Sequence, residues 1–509
     1  MNREDGRLLA MALAAFLLFL LPGLVGEYGL FIDELYYVAC AHRLDLGYVD
    51  HPPLAPLLLR ASMALLGPVE LALRVPPALA GASTVLVTAH LARRLGAGCL
   101  GQGLAAASVV ASPIFLVLFG YYSMNALEIL IWTTCGWILV EIATRDRPRL
   151  WLALGVVAGL GLQAKHTFVL FAAALALGLL IAPARRELAT RWPWLGLAIA
   201  ALIAAPNLVW QTSHDWASLE FYRQATQSKN VPTSPLAVLA KQALMMNPAT
   251  LPVWLAGAVF YLRAPEGRRL RHLGWLFVVL LAAMVLGGQS RPDRIAGVYP
   301  IALAAGGAML ERWCRGARRW LRWPLALWWV TWAVLLAPLG APLLGPDALA
   351  RHVAALGLDT RIERGEGKST PLPQWFADRL GWEALIDDVD AAFRRLPADE
   401  RDDAVIFAPS YGQAGAIELY GPARGLPPAY STHNNYFLWG PPPGPVRTAI
   451  VIGDRREHLR TLFGHVELAG IHRCPMCTRW RDEMPIWIVR APRAGREVAA
   501  IWPRLKSYQ

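Results

Sequence analysis

The chain has 509 residues, of which 55% are hydrophobic and 17% are charged, and its mean hydropathy is +0.37. Soluble domains carry about 25% charged residues, so this composition excludes an ordinary soluble protein and indicates one that lies in a lipid bilayer. The net charge of +12 does not indicate nucleic-acid binding, because the arginines lie mostly in short tracts between apolar runs. We therefore expect a multi-span, monomeric membrane protein with no nucleic-acid partner.

Apolar runs divide most of the chain into membrane spans. A hydrocarbon core of about 30 Å needs roughly 20 apolar residues per helix, and this criterion predicts about eleven spans. The first is expected to be a retained helix, since no clear small-x-small cleavage site follows it. The predicted ranges are 8–25, 75–92, 99–118, 125–143, 151–164, 167–183, 193–210, 243–262, 273–288, 295–311 and 323–344.

Arginine-bearing loops alternate with arginine-poor ones along this series of spans. The basic loops lie at 3–7, 93–94, 145–149, 185–191, 263–271 and 312–322, and all of them fall on the same side if every predicted span crosses. The positive-inside rule then places the N-terminus and these loops in the cytoplasm and the other loops on the outer face. An odd number of spans places the C-terminus on the outer face as well.

The first outer loop, residues 26–74, contains an unusual number of ionisable residues. Its segments "ELYYVACAHRL" and "PLAPLLLRASMALLG" predict two amphipathic helices at the membrane interface. Asp33 and Glu34 open the first of them. They either cap that helix and face water, since helix starts favour acidic residues, or they transfer protons, since apolar and aromatic neighbours favour that role for carboxylates.

The composition changes near residue 346, where long apolar runs end. Strand-like segments such as "DAVIFAP", "RTAIVIG" and "PIWIVRAP" alternate with helical ones such as "GWEALIDDVDAAFRRL" and "YGQAGAIELYG". The sequence therefore predicts a membrane domain over 1–345 and a soluble α/β domain over 346–509 on the outer face. Cys474 and Cys477 in "CPMC" have the spacing of a zinc half-site, a redox pair or a local disulfide. A closed zinc site needs further ligands, so a disulfide is the simplest account.

The outer-loop motif resembles a known family signature. "DELYY" at 33–37, followed by "DHPPL" at 50–54, resembles the first loop of GT-C membrane glycosyltransferases. The resemblance is greatest to the dolichyl-phosphate-mannose-protein mannosyltransferase-like group and to its relatives that modify lipid A, including aminoarabinose transferases. Further similar segments are "YYSMNALE", "GLQAKHTFVLF", "PNLVWQTSHDWASLEF", "YP…ALAAGG", "SYGQAGAIELYG" and "HNNYFLWGP". The resemblance extends over essentially the whole chain and specifies neither the sugar nor the acceptor.

The resemblance implies an α-helical GT-C fold in the bacterial inner membrane that transfers a sugar, with inversion, from a polyprenyl-phosphate donor to a hydroxyl of a lipid, glycan or protein. It implies that Asp33 is the base and that Glu34 positions the base or the acceptor. The departing phosphate needs charge neutralisation by Lys, Arg or a divalent metal. The candidate donor-site residues are Lys165, His166, Arg291, Arg294, Asp50, His51 and Tyr299, and those that line the acceptor site are Asn125, Glu128, Asn207, Gln211 and Arg223.

Several of these residues have a structural alternative. Lys165 is expected between two short spans, where a charge is costly and usually functional, but a lysine can also extend from a helix end to the interface. Arg291 and Arg294 either hold the phosphate or pair with Asp293. His51 and His166 serve equally well as structural hydrogen-bonding residues.

Metal dependence stays open at this level. Many family members have an aspartate before the fourth span that pairs with the first-loop acid, whereas this chain has Asn125 there and Glu128 one helical turn later. If a divalent metal bridges the two regions, Asp33 and Glu128 are the expected ligands.

Two other classes of function remain alternatives. A transporter or lipid-carrier flippase would also have many spans, but the sequence shows no inverted repeat and its ionisable residues gather at one predicted face. An O-antigen ligase or polymerase would be expected to need a large outer loop rich in Arg and His late in the chain, whereas the predicted loop at 289–294 is short.

Overall fold

A computed structural model describes residues 3–228, 233–288, 291–358 and 370–509, so Gln289 and Ser290 of the predicted 289–294 loop lie outside the described residues. The chain divides into two compact units. The first consists of Met1–Gly26, His51–Thr212 and Asn230–Leu344, and the second of Glu27–Asp50, Ser213–Lys229 and Gly345–Gln509. Two segments that the sequence analysis placed in the membrane domain, residues 27–50 and 213–229, thus belong to the same unit as the C-terminal region.

The first unit is helical. Its α-helices are Arg3–Val25, Leu54–Leu66, Val69–Arg94, Cys99–Ala111, Pro113–Gly120, Met124–Arg145, Leu150–Ala164, Phe168–Ile181, Arg191–Ser213, Pro235–Met245, Leu251–Arg263, Arg271–Leu286, Tyr299–Trp313 and Arg322–Gly340. Short 3₁₀ helices lie at Pro183–Ala189, Pro248–Thr250, Arg268–Leu270, Pro292–Val298 and Gly316–Leu321.

The predicted spans correspond to these helices. Within the described residues, 6 helices are long and apolar enough to cross a bilayer. The number of possible spans rises to 9 if each of three bent helix pairs is counted as one span. The breaks precede Pro113, Pro183 and Pro248, where a proline removes a backbone donor and bends the helix. The two remaining predicted spans match Leu150–Ala164 and Tyr299–Trp313, each of 15 residues. The α-helical, multi-span fold class is therefore confirmed.

The second unit contains a five-stranded sheet. Its strands are β1 (Val405–Phe407), β2 (Ala429–Tyr430), β3 (Thr448–Ile452), β4 (Phe463–His472) and β5 (Met484–Pro492), in the order β2-β1-β3-β5-β4. The strands β2, β1 and β3 are parallel, whereas β5 runs antiparallel to β3 and β4, with Ile450 opposite Ile488. Every residue of β3 is buried. The predicted α/β character is confirmed, although β4, a largely exposed edge strand, has no counterpart in the prediction.

Helices surround this sheet. They are Ile32–His42, Ala217–Ser228, Pro346–Ala355, Gln374–Ala377, Trp382–Arg394, Ala398–Arg401, Tyr411–Tyr420, Asn435–Leu438, Arg456–Leu462 and Val498–Ile501, with 3₁₀ turns at Pro422–Arg424, Arg479–Arg481 and Trp502–Leu505. Cys474 and Cys477 are joined in a disulfide, which agrees with the simplest account of the "CPMC" motif.

The two helices expected at the interface differ in character. Leu54–Leu66 is amphipathic, with Ala55 and Leu59 buried and Leu65 83% exposed. The helix Ile32–His42 is not: 9 of its 11 residues are buried. It packs against Tyr411–Tyr420, where a Cβ on Gly412 would lie 2.2 Å from Ile32. The prediction of an interfacial amphipathic helix was wrong here, because its second face is covered by a helix from a distant part of the chain.

Candidate active site

The helix Ile32–His42 holds the two adjacent acids in different environments. The Glu34 carboxylate is fully buried, and its Oε2 accepts a hydrogen bond of 2.7 Å from the backbone N–H of Phe31, the residue before the helix. This bond satisfies one of the backbone donors that a helix start leaves without a partner. Asp33 is half-buried. Glu34 therefore has a defined capping role, although it is shielded from water, and Asp33 is the more accessible of the two acids.

Asp33 is held by a tyrosine from the C-terminal part of the second unit. The Tyr411 hydroxyl donates a hydrogen bond of 2.8 Å to Asp33 Oδ1. Ser410 begins the Tyr411–Tyr420 helix by accepting from the Gly412 N–H through its side chain at 3.2 Å. Tyr411 is thus the first residue of a capped helix, which fixes the direction of its ring toward Asp33.

A second tyrosine holds the other acid of the predicted motif. The Tyr36 ring stacks on the Tyr411 ring with centroids 4.6 Å apart, and its hydroxyl donates to Asp50 Oδ1 at 3.0 Å. Burial and the charge of Asp50 raise the pKa of the Tyr36 hydroxyl well above its usual range, so it stays a proton donor at neutral pH. Asn435 supports this arrangement, because its Oδ1 accepts from the Val49 N–H at 2.7 Å and its own N–H donates to the Tyr36 hydroxyl at 3.3 Å.

The "HNN" part of the tail motif supports Tyr411 from its other face. The His433 ring stacks on Tyr411 with centroids 4.7 Å apart. Its Nδ1 accepts from the Tyr411 N–H at 3.4 Å, and its Nε2 lies 2.6 Å from the carbonyl oxygen of Gln509, which assigns the proton to Nε2. Asn434 has φ 48° and ψ −131°, a conformation that costs free energy and persists only where surrounding contacts enforce it. Those contacts come from Ser507 and Gln509.

The first unit contains a second polar cluster around Lys165. Lys165 ends the Leu150–Ala164 helix and is 6% exposed. Its Nζ donates to Asn125 Oδ1 at 2.6 Å and to Glu128 Oε2 at 2.8 Å. The Thr167 hydroxyl donates to the other oxygen of Glu128. Two predicted residues, Asn125 and Glu128, therefore contact a third, Lys165.

Other predicted residues of the first unit form smaller groups. His166 Nε2 lies 3.1 Å from Asn207 Oδ1, and Gln211 follows Asn207 on the same helix face, also buried. Arg291 Nε pairs with Asp293 Oδ1 at 3.4 Å. Burial raises the pKa of the Asp293 carboxyl, but the charges of Arg291, Lys165 and Arg294 outweigh it and lower the pKa below its usual value. Asp293 is thus electrostatically linked to the Lys165 cluster.

Three predicted residues stand apart from these groups. The Tyr299 hydroxyl donates to Gln242 Oε1 at 2.8 Å in the helical core, between Trp254 and Phe277. His51 is buried, with its Nδ1 3.0 Å from the Pro52 carbonyl. Arg223 is exposed on the helix Ala217–Ser228 of the second unit. These are positions of structural or surface residues, and their proposed roles at the donor or acceptor stay predictions.

The two expected metal ligands are occupied by other partners. Asp33 accepts from Tyr411, and both oxygens of Glu128 accept from Lys165 and Thr167. In the part of the chain that the structure describes, no group of 3 or more His, Cys, Asp or Glu side chains is arranged to hold a metal ion. Both carboxylate oxygens of Glu128 are therefore engaged by protein groups, and we derive no step through a metal.

Sequence reasoning gave Tyr36 of "DELYY" no contact of its own, and it missed Tyr411, His433 and Asn435. The segments that carry them, "SYGQAGAIELYG" and "HNNYFLWGP", were similar to those of other proteins but had no assigned role. The available signal was the Ser410 cap followed by Gly412, which marks a helix start that can approach another helix closely.

This chain is similar to known proteins in both sequence and fold. A family model described as dolichyl-phosphate-mannose-protein mannosyltransferase matches residues 50–210. The lipid A galacturonosyltransferase RgtD of Rhizobium johnstonii is 23% identical over 301 residues, which are 58% of this chain and 62% of that protein. The match thus spans less than two thirds of that relative's length.

Two crystal structures of ArnT from Cupriavidus metallidurans share the fold. The apo structure superposes with a TM-score of 0.61 at 13% identity, covering 96% of this chain and 98% of ArnT. The structure of ArnT bound to undecaprenyl phosphate gives a TM-score of 0.59 at 15% identity, covering 95% and 98% of the two chains. The similarity of fold therefore extends over nearly the full length of both proteins.

Proposed function

We propose that the chain is a GT-C membrane glycosyltransferase, a group that it resembles in sequence and fold, and that it transfers a sugar from a polyprenyl-phosphate donor to a hydroxyl group, with inversion. The acceptor in this proposal is a lipid of the lipid A class. The reaction takes place at the outer face of the inner membrane.

One observation carries the proposal: a half-buried Asp33 carboxylate fixed by the Tyr411 hydroxyl at 2.8 Å. A general base must be ionised and held in a fixed direction. A hydrogen bond donated to a carboxylate oxygen favours the ionised form, and the ring stack of Tyr36, Tyr411 and His433 limits how far the donor can move. Asp33 therefore has the properties that this role requires.

The atoms, electrons and proton of the proposed step are accounted for without a cofactor. The acceptor oxygen attacks the anomeric carbon on the face opposite the phosphate and forms the new C–O bond. The bond from the anomeric carbon to the phosphate oxygen breaks, and its electron pair leaves with the phosphate. The acceptor proton passes to Asp33. Because attack and departure occur on opposite faces, the configuration at the anomeric carbon inverts.

Lys165 is proposed to bind the donor phosphate. Two of its three N–H donors are used by Asn125 and Glu128 among the described residues, which leaves one for a phosphate oxygen. A buried ammonium group stabilises negative charge more strongly than an exposed one. Asn125 and Glu128 then act as groups that hold Lys165 rather than as acceptor contacts or metal ligands.

The choice of donor and acceptor rests on relatives. RgtD is named as a lipid A galacturonosyltransferase, and ArnT has been crystallised with undecaprenyl phosphate. Both names support a lipid-linked donor and a lipid acceptor for the first assays, with galacturonate as the first sugar to test.

The test uses the purified full chain in detergent with a panel of polyprenyl-phosphate sugars and lipid A extracts. We expect transfer with at least one donor and its loss, by at least 10³-fold, in Asp33→Asn. The matched control is Asp45→Asn, an exposed acid in the same segment whose Oδ1 accepts a hydrogen bond from the Leu46 N–H. Full activity of Asp33→Asn would remove the assigned base, and activity without any lipid-linked sugar would contradict the donor class.

A further inference from the structure

The second unit contains a cavity of about 320 Å³ at one edge of its sheet. The parallel strands β2, β1 and β3 all end there, and the chain leaves them through Ser431, Ala408 and Gly453. In open sheets with parallel strands, ligands bind in the crevice beyond the carboxyl ends of the strands. The cavity volume lies at the lower end of the range for small-molecule sites, about 300–1,000 Å³.

The walls of this cavity are mostly apolar. They are formed by Phe407, Val451, Leu459, Leu462, Phe463, Val498, Ile501 and Trp502, among others. Polar groups are fewer: Ser431, Thr432, Asp454, His458 and Arg496. Such a site favours a ligand with a long apolar part and one polar end.

The surroundings of the cavity are basic. The two segments that border it, 454–460 and 493–504, carry six exposed arginines against the three acids Asp454, Glu457 and Glu497. The arginines are Arg455, Arg456, Arg460, Arg493, Arg496 and Arg504. Asp454, which lines the cavity, is hydrogen-bonded to His458, whose Nδ1 lies 2.8 Å from Asp454 Oδ2. The remaining charge attracts an anionic group to this edge.

We propose that this cavity binds one linear alkyl chain of an anionic lipid, with the phosphate or carboxylate of the head group held by Arg496. The cavity is distinct from the surroundings of Asp33, although a short segment connects the two: Ser431 and Thr432 line the cavity, and the next residue, His433, stacks on Tyr411. The cavity does not take part in the transfer step proposed above.

Photo-crosslinking tests the proposal on the full chain. The protein is purified in digitonin, a detergent without a linear alkyl chain, and incubated with dodecyl phosphate that bears a diazirine at its terminal carbon. We expect crosslinks in the peptides that carry Phe407, Leu459 or Val498. Unmodified dodecyl phosphate should compete, and each methylene group removed from the competitor should weaken competition about fourfold. Labelling that is confined to other regions would overturn the proposal.

Two variants fill the cavity. Leu459→Trp, in the buried wall, and Val498→Trp, at the half-buried rim, are each expected to lower the labelling at least fivefold. The matched control is Leu468→Trp, an exposed position on β4 outside the cavity, which should label as the wild type does. If Leu459→Trp melts at a lower temperature than the wild type, Val498→Trp decides. Unchanged labelling in a well-folded Val498→Trp variant would overturn the site.

The head group is tested separately. Replacing Arg496 by Ala should weaken competition by dodecyl phosphate about tenfold and leave competition by dodecanol unchanged. Equal effects on both competitors would contradict the anionic part of the proposal. Asp33→Asn, the variant expected to lose transfer, should label normally, so that a failure here and a failure of the transferase proposal remain distinguishable.

Discussion

The Tyr411 hydroxyl and the Asp33 carboxylate, 378 residues apart in the sequence, are joined by a hydrogen bond of 2.8 Å. The bond connects the acid of the "DELYY" motif to the first residue of a helix in the C-terminal region. Because Tyr411 is stacked between Tyr36 and His433, its hydroxyl has a fixed direction. The C-terminal region therefore helps to build the environment of the proposed base.

Replacing Tyr411 by Phe removes this bond and keeps the ring stack. A hydrogen bond to a charged group contributes about 1.5–3 kcal/mol, so we expect kcat to fall about 10- to 100-fold with little change in the KM for the donor. Steady-state kinetics with varied donor concentration measures the two effects separately. The control is Tyr430→Phe, at a tyrosine on β2 whose hydroxyl makes no hydrogen bond with the described residues. A change confined to KM would contradict the positioning role.

The sequence predicts those features of the structure that depend on residues close together in the chain, and it fails for features that depend on residues far apart. Helices such as Met124–Arg145 follow from runs of consecutive apolar residues. The resemblance carried by "DELYY" and "DHPPL" agrees with the family model that matches residues 50–210 and with the similarity of fold to ArnT. These features are local.

Features that need distant partners could not be predicted in this way. The helix Ile32–His42 has an apolar and a partly polar face, and only the packing of Tyr411–Tyr420 makes it a buried helix. The role of "HNN" depends on contacts with Ser507 and Gln509, which no pattern in the sequence indicates. An edge strand such as β4 lacks a regular apolar alternation and so gives no clear signal.

The Lys165–Glu128 pair can be tested for function apart from folding. Lys165→Gln leaves the buried Glu128 carboxylate without its cation, which costs about 3–5 kcal/mol of unfolding free energy. The double variant Lys165→Gln/Glu128→Gln removes both charges, so we expect its melting temperature to recover toward the wild type. Its transfer activity should stay at least 100-fold reduced, because no ammonium group remains for the phosphate.

Thermal unfolding and transfer assays on both variants measure these outcomes. Recovery of activity together with stability in the double variant would mean that Lys165 acts only as a structural counter-ion. An Asn125→Ala variant, which removes the second acceptor of Lys165 without changing any charge, is expected to reduce activity less than either Lys165 variant.

Chelation should leave the activity intact. The oxygens of Glu128 are used by Lys165 and Thr167, and the described residues offer no cluster of 3 or more metal-binding side chains. We therefore expect transfer to continue in EDTA after dialysis against a metal-free buffer. Loss of activity that Mg²⁺ or Mn²⁺ restores would contradict this prediction and return Asp33 and Glu128 to the role of ligands.

Acid should weaken the first unit through Asp293. The charges of Arg291, Lys165 and Arg294 lower the pKa of this carboxyl below its usual value, so folding favours the ionised form. The stabilisation is present above the unfolded value and is lost as the pH falls through the lower folded value. We expect the melting temperature of the wild type to fall more steeply below pH 4 than that of Asp293→Asn. Parallel curves for the two proteins would contradict this assignment.

The Cys474–Cys477 disulfide is linked to the start of the Asp33 helix by a short series of contacts. Cys477 Sγ lies 3.3 Å from the Leu380 carbonyl oxygen, which also accepts from Arg481 Nη2 at 2.5 Å. The Arg481 guanidinium lies 3.5 Å from the centre of the Trp382 ring, and the Trp382 indole N–H donates to the Leu30 carbonyl at 2.9 Å. Leu30 precedes the Asp33 helix by two residues.

The two sulfur atoms of the disulfide also lie close to Gly381, a position that only glycine can occupy. Gly381 has φ +75°, and a Cβ there would lie 2.7 Å from Cys474 Sγ and 3.0 Å from Cys477 Sγ. The turn before Trp382 is therefore fitted to the bonded sulfur pair. When the bond is reduced, the sulfur atoms separate, and the support for Trp382 and for Leu30 weakens with them.

We therefore expect Cys474→Ser/Cys477→Ser to lower both stability and activity. A four-residue loop contributes about 2 kcal/mol to stability in the chain-entropy description, which corresponds to a few degrees in melting temperature. Dithiothreitol should lower stability and activity in the wild type but should have no effect on the double variant. The control is Cys99→Ser, which removes an exposed free thiol of the first unit and should respond to dithiothreitol as the wild type does. If the reductant lowers activity in the double variant as well, it acts at another site, and the series of contacts from the disulfide to Asp33 does not control the reaction.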